Sequence, residues 1–162
     1  MTVELWPAQG QRQWRLVTDS VMGGMSRGTL TKELKGDRPA ARMRGIVSTE
    51  NSGGFIQIAM DLDQENGFID ARGYQGISID VCGNDEGYGV HLRTTALTRP
   101  QQSYRRGFFA SGEWQPICLP FAQFEPHRVE APIDVARLRR IGLVAIGRAF
   151  VADLAVARLA FY

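Results

Sequence analysis

The chain has 162 residues, enough for a domain with a substantial hydrophobic core, and we expect one domain over residues 1–162. An apolar content of 44% and a charged content of 22% exclude the disordered class and are typical of soluble globular proteins. The formal net charge is only +2 and no Lys/Arg block is present, so we expect no nucleic-acid partner.

Targeting signals and cysteines also limit the class of protein. The N-terminal residues show neither the basic-then-apolar pattern of a signal peptide nor a basic amphipathic presequence, and no apolar run is long enough to span a bilayer. We therefore expect a cytoplasmic protein with no membrane span. Cys82 and Cys118 are then expected to be reduced thiols, with a disulfide as the less favoured alternative.

Short runs of alternating apolar and polar residues predict about ten β-strands and almost no helix. The clearest is Phe55–Leu62, which places Ile56 and Ile58 on one face and Gln57 and Ala59 on the other. The other predicted strands are Gln13–Val17, Arg27–Leu34, Ala40–Val47, Gly76–Val81, Tyr88–Thr95, Gln102–Phe109, Trp114–Leu119, Ile141–Ile146 and Ala152–Phe161.

Two short helical turns are predicted between these strands. One lies at Pro120–Phe124, and the other at Val135–Arg139, where Asp134 is a suitable N-cap. Because long amphipathic helices do not alternate with the strands, the pattern favours an all-β fold over an α/β fold. We predict an antiparallel sandwich or jelly roll.

Two glycine pairs stand out, in Asp19–Gly28 and in Glu50–Phe55. Each pair follows a carboxylate and a small polar residue and precedes a predicted strand. Glycine pairs occur where the backbone adopts angles closed to other residues, or where another group approaches it closely. We therefore expect two loops of demanding geometry, lying side by side at one edge of the sandwich.

These loops have a structural and a functional interpretation. In the structural one, Asp19 and Asn51 bond neighbouring backbone N–H groups, and Met22 and Phe55 anchor the loops. Phe55 lies on the opposite parity from Ile56, so it is exposed unless a bulge resets the alternation. In the functional interpretation the loops form a binding edge, whose candidate residues are Asp19, Met22, Gly23, Gly24, Ser26, Glu50, Asn51, Gly53, Gly54 and Phe55.

A second candidate surface arises if four predicted strands, Gly76–Val81 to Trp114–Leu119, share one sheet. Parity then places Asp80, His91, Arg93 and Trp114 on one face, joined either by Tyr104 and Arg106 or by Ser103 and Arg105. An aromatic ring beside Arg and Asp can stack on a sugar and bond its hydroxyls, so Arg93, Tyr104 and Trp114 are carbohydrate-binding candidates. The alternative is a solvated outer face.

The sequence gives no positive sign of catalysis, metal or cofactor. Thr29 stands where a phosphate-binding loop needs Lys, and the Gly87–Leu92 segment lacks the third glycine of a dinucleotide fingerprint. His91 and His127 are the only histidines, and zinc-ligand spacing is missing. We expect a non-enzyme with no cofactor. A small sugar-modifying enzyme stays open as an alternative and would need clustered carboxylates.

Several segments resemble the complex I intermediate-associated protein 30 family. They are Trp14–Ser26, Glu50–Phe55, Tyr74–Ile77, Gly83–Asp85, Tyr104, Gly112–Gln115 and Leu119–Phe124. The resemblance implies a galactose-binding-like jelly roll that is not a catalyst. It also implies a chaperone-like role in assembly of respiratory NADH:ubiquinone oxidoreductase, with a subunit or assembly intermediate as protein partner. The same fold occurs in carbohydrate-binding modules.

Overall fold

The computed structural model describes residues 2–7, 12–63, 65 and 67–162. Within these residues the chain forms twelve strands and four 3₁₀ turns. The strands are β1 (Val3–Trp6), β2 (Arg15–Thr18), β3 (Arg27–Lys35), β4 (Arg38–Val47), β5 (Phe55–Asp61), β6 (Gly76–Cys82), β7 (Glu86–Thr94), β8 (Ser103–Ala110), β9 (Gln115–Pro120), β10 (Glu125–His127), β11 (Leu138–Ile146) and β12 (Phe150–Phe161). The turns are Asp19–Met22, Glu50–Ser52, Phe121–Gln123 and Val135–Arg137.

The strands form two antiparallel sheets of six strands each. Sheet A has the order β3-β4-β12-β6-β9, and β1 also pairs with β12. Sheet B has the order β10-β8-β7-β11-β5-β2. Both sheets join strands that are distant in sequence, as sandwiches with Greek-key connections do.

One hydrophobic cluster lies between the two sheets. Sheet A contributes Met43 and Leu154, and sheet B contributes Ile58, Leu92 and Leu143, all fully buried. Burying one such side chain contributes roughly 1.5–3 kcal/mol. Burial of these apolar side chains is therefore the main contribution that holds the two sheets together. Because side chains alternate along each strand, every second residue lies on an outer face.

The predicted all-β sandwich is confirmed, and every predicted strand is present with ends shifted by a few residues. The prediction missed β1 and β10, which are short; Pro126 in β10 also removes a backbone donor. Both helical turns exist as 3₁₀ turns, and the Asp134 carboxylate accepts a hydrogen bond from Ala136 N–H (3.1 Å).

The assumption that four central strands share one sheet is wrong. β6 pairs with β12 and β9 in sheet A, whereas β7 pairs with β11 and β8 in sheet B. Asp80 and Trp114 therefore belong to sheet A, and His91 and Arg93 belong to sheet B. The mixed face that combined them does not exist, because the chain passes from sheet A to sheet B between β6 and β7 and returns to sheet A between β8 and β9.

Candidate functional site

The first glycine loop begins as a 3₁₀ turn at Asp19–Met22 and reverses at Gly23. Gly23 has φ +83°, a conformation that side chains disfavour. Its N–H donates to the Ser20 carbonyl, and the N–H of Gly24 donates to the Asp19 carbonyl at 2.9 Å. The reversal brings Gly24 back against the Asp19 side chain.

The Asp19 carboxylate is fully buried and joins the two glycine loops. Its Oδ2 accepts hydrogen bonds from the N–H groups of Gly54 (2.6 Å) and Phe55 (3.2 Å), both at the end of the second loop. Within its own loop it accepts from Ser26 N–H at 3.0 Å and from the Ser26 hydroxyl at 2.5 Å. The loops are therefore adjacent, as expected, and one side chain connects them.

Ser26 extends the connection to the strand that precedes the second loop. Its hydroxyl oxygen accepts a hydrogen bond from Ser48 N–H at 2.8 Å. The hydroxyl of Ser48 in turn accepts from Glu50 N–H at 3.2 Å, at the start of the 3₁₀ turn Glu50–Ser52. A chain of hydrogen bonds thus fixes both ends of the second loop.

In each glycine pair, one residue has a positive φ and the other lies close to the Asp19 carboxylate. Gly54, like Gly23, has a positive φ, here +142°. A Cβ on Gly24 would lie 2.4 Å from the Asp19 Cγ, and one on Gly53 would lie 2.5 Å from Oδ2. Any side chain at Gly24 or Gly53 would therefore displace the carboxylate. This geometry explains why both loops need two glycines.

The Asp19 carboxylate stays ionised despite its burial. Burial alone would raise its pKa, but the hydrogen bonds from Ser26, Gly54 and Phe55 favour the anion and lower the pKa below the ordinary value. Since the pKa is lower in the folded chain, the stability it supplies is complete above about pH 3.9 and is lost as pH falls through the folded pKa. The connection between the loops therefore holds at neutral pH.

The locked first loop presents three exposed apolar side chains, which we call the loop rim. Val21 is 74% exposed, Met22 59% and Met25 45%. Met22 does not anchor the loop in the sandwich, so that part of the structural interpretation is wrong. The exposed pair Ile46 and Val151, joined across β4 and β12, adjoins the rim on sheet A, because Ile46 also pairs with Arg27 at the start of β3.

The side chains of Glu50, Asn51 and Phe55, the other predicted residues of the second loop, form no hydrogen bond with the Asp19 carboxylate. Glu50 and Asn51 are exposed, and Asn51 adopts the left-handed conformation with φ 57°. Phe55 is half-buried and faces away from the core, since β5 runs beside β11 with no bulge. Its predicted parity is confirmed.

The three predicted carbohydrate-binding residues, Tyr104, Trp114 and Arg93, do not contact each other. Tyr104 is buried in the core, and its hydroxyl donates to the Ala131 carbonyl at 2.8 Å. On sheet A, the Trp114 indole donates to the Lys35 carbonyl at 2.9 Å, and the guanidinium carbon of Arg38 lies 4.9 Å from the ring centre. Arg38 therefore occupies one face of the Trp114 ring, where a sugar could otherwise stack.

Arg93 has a structural role on sheet B. Its Nη1 donates to the carbonyls of Gln102 (2.5 Å) and Arg99 (3.0 Å), in the connection between β7 and β8. Burial, together with the nearby Arg140 and Arg139, lowers its pKa. Arg93 thus holds a turn in place and lies on the same outer face as His91.

That outer face of sheet B has a floor of small, buried residues, and the sequence did not identify it as a surface. Val144 and Ala59 face away from the core by register, yet they are only 1% and 2% exposed. Val144 lies between Gln57 of β5 and Gly89 of β7, and the Gln57 amide covers Gly142. Small residues thus form a floor below larger neighbours. We call this surface, formed by outward residues of β5, β11, β7 and β8, the recessed face.

His91 lies on the recessed face, next to Gly89 and across the strands from Arg105. Burial, with the positive charges of Arg105 and His127, lowers the pKa of His91 to about 3. The imidazole is therefore neutral at physiological pH and offers one donor and one acceptor. Sequence analysis placed His91 outward correctly, but it could not show which strands surround it.

Neither metal ligands nor a membrane helix stands out among the described residues. No group of three or more His, Cys, Asp and Glu side chains there is arranged to hold a metal ion. Cys82 is buried, Cys118 is exposed, and both are free. In the same part of the chain, no helix has the length and apolar character needed to cross a membrane.

Sequence comparison assigns the chain to a family. The pattern of the complex I intermediate-associated protein 30 family matches residues 3–154, so the chain belongs to this family. The match includes both glycine loops and the Asp19 connection between them. No curated protein matches the chain by sequence.

Solved structures similar to this chain include carbohydrate-binding modules. The family 11 module of a cellulosomal cellulase of Clostridium thermocellum aligns with a TM-score of 0.66 and 10% identity, over 99% of this chain and 92% of that one. A family 30 module from a cellulosomal cellulase of the same organism has a TM-score of 0.62 and 13% identity, over 100% and 97%. At such identities the likeness shows the fold alone, and it confirms the jelly-roll class.

We expect Asp19→Asn to lower the free energy of unfolding by on the order of 3 kcal/mol, because a buried anion with four donors becomes a neutral amide that places an N–H among them. Chemical denaturation at pH 7 measures the change. The matched control is Asp70→Asn, which removes an exposed carboxylate paired with Arg72 and should leave the midpoint nearly unchanged. An Asp19→Asn variant as stable as the native chain would contradict this role.

A second prediction concerns acid sensitivity. In the unfolded chain His91 is protonated below about pH 6.5, whereas in the folded chain it is protonated only below about pH 3. The free energy of unfolding therefore decreases as the pH is lowered from about 6.5 to about 3. From about pH 6 to about pH 4, the native chain should lose about 1.4 kcal/mol per pH unit more than His91→Gln. Denaturation at several pH values measures both slopes; equal slopes would show that His91 titrates normally.

Proposed function

We propose that this chain is a non-catalytic assembly protein for respiratory NADH:ubiquinone oxidoreductase, and that it acts by protein–protein contact in the cytoplasm. Its family supports the class of role. The observation that carries the proposal is the loop rim: three apolar side chains exposed on a loop that a buried carboxylate holds rigid. Its partner would be a subunit or an assembly intermediate of that complex.

The loop rim has the properties of a protein-binding surface. Exposed methionine and valine side chains that lie close together are uncommon on monomers and mark interaction sites. The rim is also preorganised, because Asp19 fixes the loop before a partner arrives and less conformational entropy is lost on binding. Glycine loops that served only to turn the chain would not need to expose Val21, Met22 and Met25.

The chemistry of Asp19 supports a role without catalysis. Its oxygens accept hydrogen bonds from Ser26, Gly54 and Phe55, and it is fully buried. A carboxylate held in this way has neither the exposure nor the raised pKa that a general acid needs. The acidic residue of the family motif is therefore used for structure, and the surface that it supports is used for binding.

The test is capture of partners from the native host by the tagged chain. We expect subunits of NADH:ubiquinone oxidoreductase to be retained by the native chain, and at least about tenfold less by a Met22→Asp, Met25→Asp double variant, because charges in an apolar contact cost several kcal/mol. Quantitative mass spectrometry measures the retention.

The control is Leu34→Asp, which places one such charge on another exposed apolar residue, at the far end of β3. It should retain the subunits as well as the native chain does. Thermal melts verify that all variants are folded. The proposal fails if no subunit of the complex is retained, or if rim and control variants retain equal amounts.

Carbohydrate binding on the recessed face is a second candidate function. The floor of small residues favours it, together with Phe109, which is 57% exposed at the border of the face. A solved structure with 10% identity and a TM-score of 0.65 is a family 11 module in complex with a β-1,3-1,4-mixed-linked tetrasaccharide. Here the ligand would lie on sheet B alone, since Trp114 belongs to sheet A.

Calorimetric titration with that mixed-linked tetrasaccharide tests the second candidate. We expect binding by the native chain and about fivefold weaker binding by Phe109→Ala, because stacking of an apolar ring on an aromatic side chain contributes about 1 kcal/mol. Phe68→Ala, which removes an exposed ring elsewhere, is the control. Failure of this titration leaves the assembly role unaffected.

A further inference from the structure

Arg105 is a charged residue at the β8 side of the recessed face. It lies on β8 between His91 of β7 and Glu125 of β10, its two cross-strand partners. His127 follows one outward position along β10, where it pairs with Ser103. Neighbouring strands lie about 4.8 Å apart, so these side chains form one compact group.

The positive charge of Arg105 is not neutralised within the described part of the chain. Its Nε donates to the Ser103 hydroxyl at 2.8 Å, while its two terminal nitrogens make no hydrogen bond there. Burial, with the nearby Arg128, lowers its pKa. A half-buried guanidinium without a counter-ion is unfavourable, and a ligand anion would remove that cost.

The neighbouring carboxylates do not supply the missing counter-ion. Glu125 stands opposite Arg105 but is exposed and forms no ion pair with it among the described residues. Asp61, at the other side of the face, is already shared by Arg140 (2.9 Å) and Arg15 (3.4 Å). The end of the face that carries Arg105 therefore has an excess of positive charge.

The rest of the face is suited to the uncharged, hydroxyl-rich sugar rings of a ligand. Gln57 and the neutral His91 provide hydrogen-bonding groups above a floor that includes Gly89 and Gly142. Phe109 lies four residues after Arg105 on the same side of β8, about 13 Å along the strand. A ligand that reaches both must therefore be several sugar units long.

We propose that the recessed face binds an oligosaccharide carrying carboxylate groups, with one carboxylate held by the terminal nitrogens of Arg105 and supported by His127. This proposal rests on the second candidate function and adds the charge of the ligand to it. A guanidinium pairs with a carboxylate through two parallel hydrogen bonds, which gives orientation as well as affinity. The sugar rings extend from this point along β8 toward Phe109.

The test uses three probes: tetragalacturonate, its fully methyl-esterified form, and a tetraglutamate peptide. Together they distinguish the contribution of the carboxylates to binding from that of the sugar rings. Calorimetric titration at low salt measures each affinity. We expect tetragalacturonate to bind at least about tenfold more tightly than either of the others, since only it combines carboxylates with sugar rings.

Two variants on one strand provide the matched comparison. Arg105→Gln should weaken tetragalacturonate binding at least about tenfold, because it removes the paired charge but keeps a polar side chain. Arg106→Gln is the control, since Arg106 is paired with core-facing Val90 and bonds Gln123 on the other side of the strand. It should bind as the native chain does.

Each other outcome overturns the proposal. Equal affinity for the acid and its ester, or unchanged binding by Arg105→Gln, would remove the role of charge. Tetraglutamate bound as tightly as the saccharide would indicate an acidic-peptide site. If only the mixed-linked tetrasaccharide binds, the face takes neutral sugars: the second candidate stands and this inference does not. No binding of any probe rejects both.

Discussion

The structure of the loop edge depends on one buried anion. A carboxylate removed from water is unfavourable by several kcal/mol unless hydrogen bonds replace its hydration. Asp19 obtains four such bonds, two from Ser26 in its own loop and two from the backbone of Gly54 and Phe55 in the other. This requirement brings the loops together, and the space it leaves around the carboxylate admits only glycine at Gly24 and Gly53.

The same connection joins the two surfaces to which we assign binding. The loop rim, Val21 with Met22 and Met25, projects from the first loop. The second loop leads directly into β5, whose Phe55 pairs with Ile146 and begins the outer face of sheet B. The proposed protein contact at the rim and the proposed ligand contact on the recessed face would therefore use separate surfaces, and variants in one surface should leave the other unchanged.

Local patterns sufficed to predict much of the fold, and non-local pairing explains what they missed. Alternation identified the strands, because side-chain parity is a property of each strand alone. The partners of β6 and β7 depend on contacts far apart in sequence, so sequence reasoning put Trp114 and His91 on one face. For the same reason the choice between Arg105 and Arg106 stayed open until register was known. Val144 resembles a core residue in sequence, and only its sheet position shows that it faces away from the core.

Amide hydrogen exchange of the native chain tests the central claim most directly. The N–H groups of Gly54 and Phe55 should be strongly protected, because both donate to the buried Asp19 carboxylate. The Gly112 N–H, which donates to the exposed Asp85 carboxylate at 3.2 Å, provides the comparison within the same molecule and should exchange rapidly. If Gly54 and Phe55 exchange as fast as Gly112, Asp19 does not lock the two loops, and the account of the site is wrong.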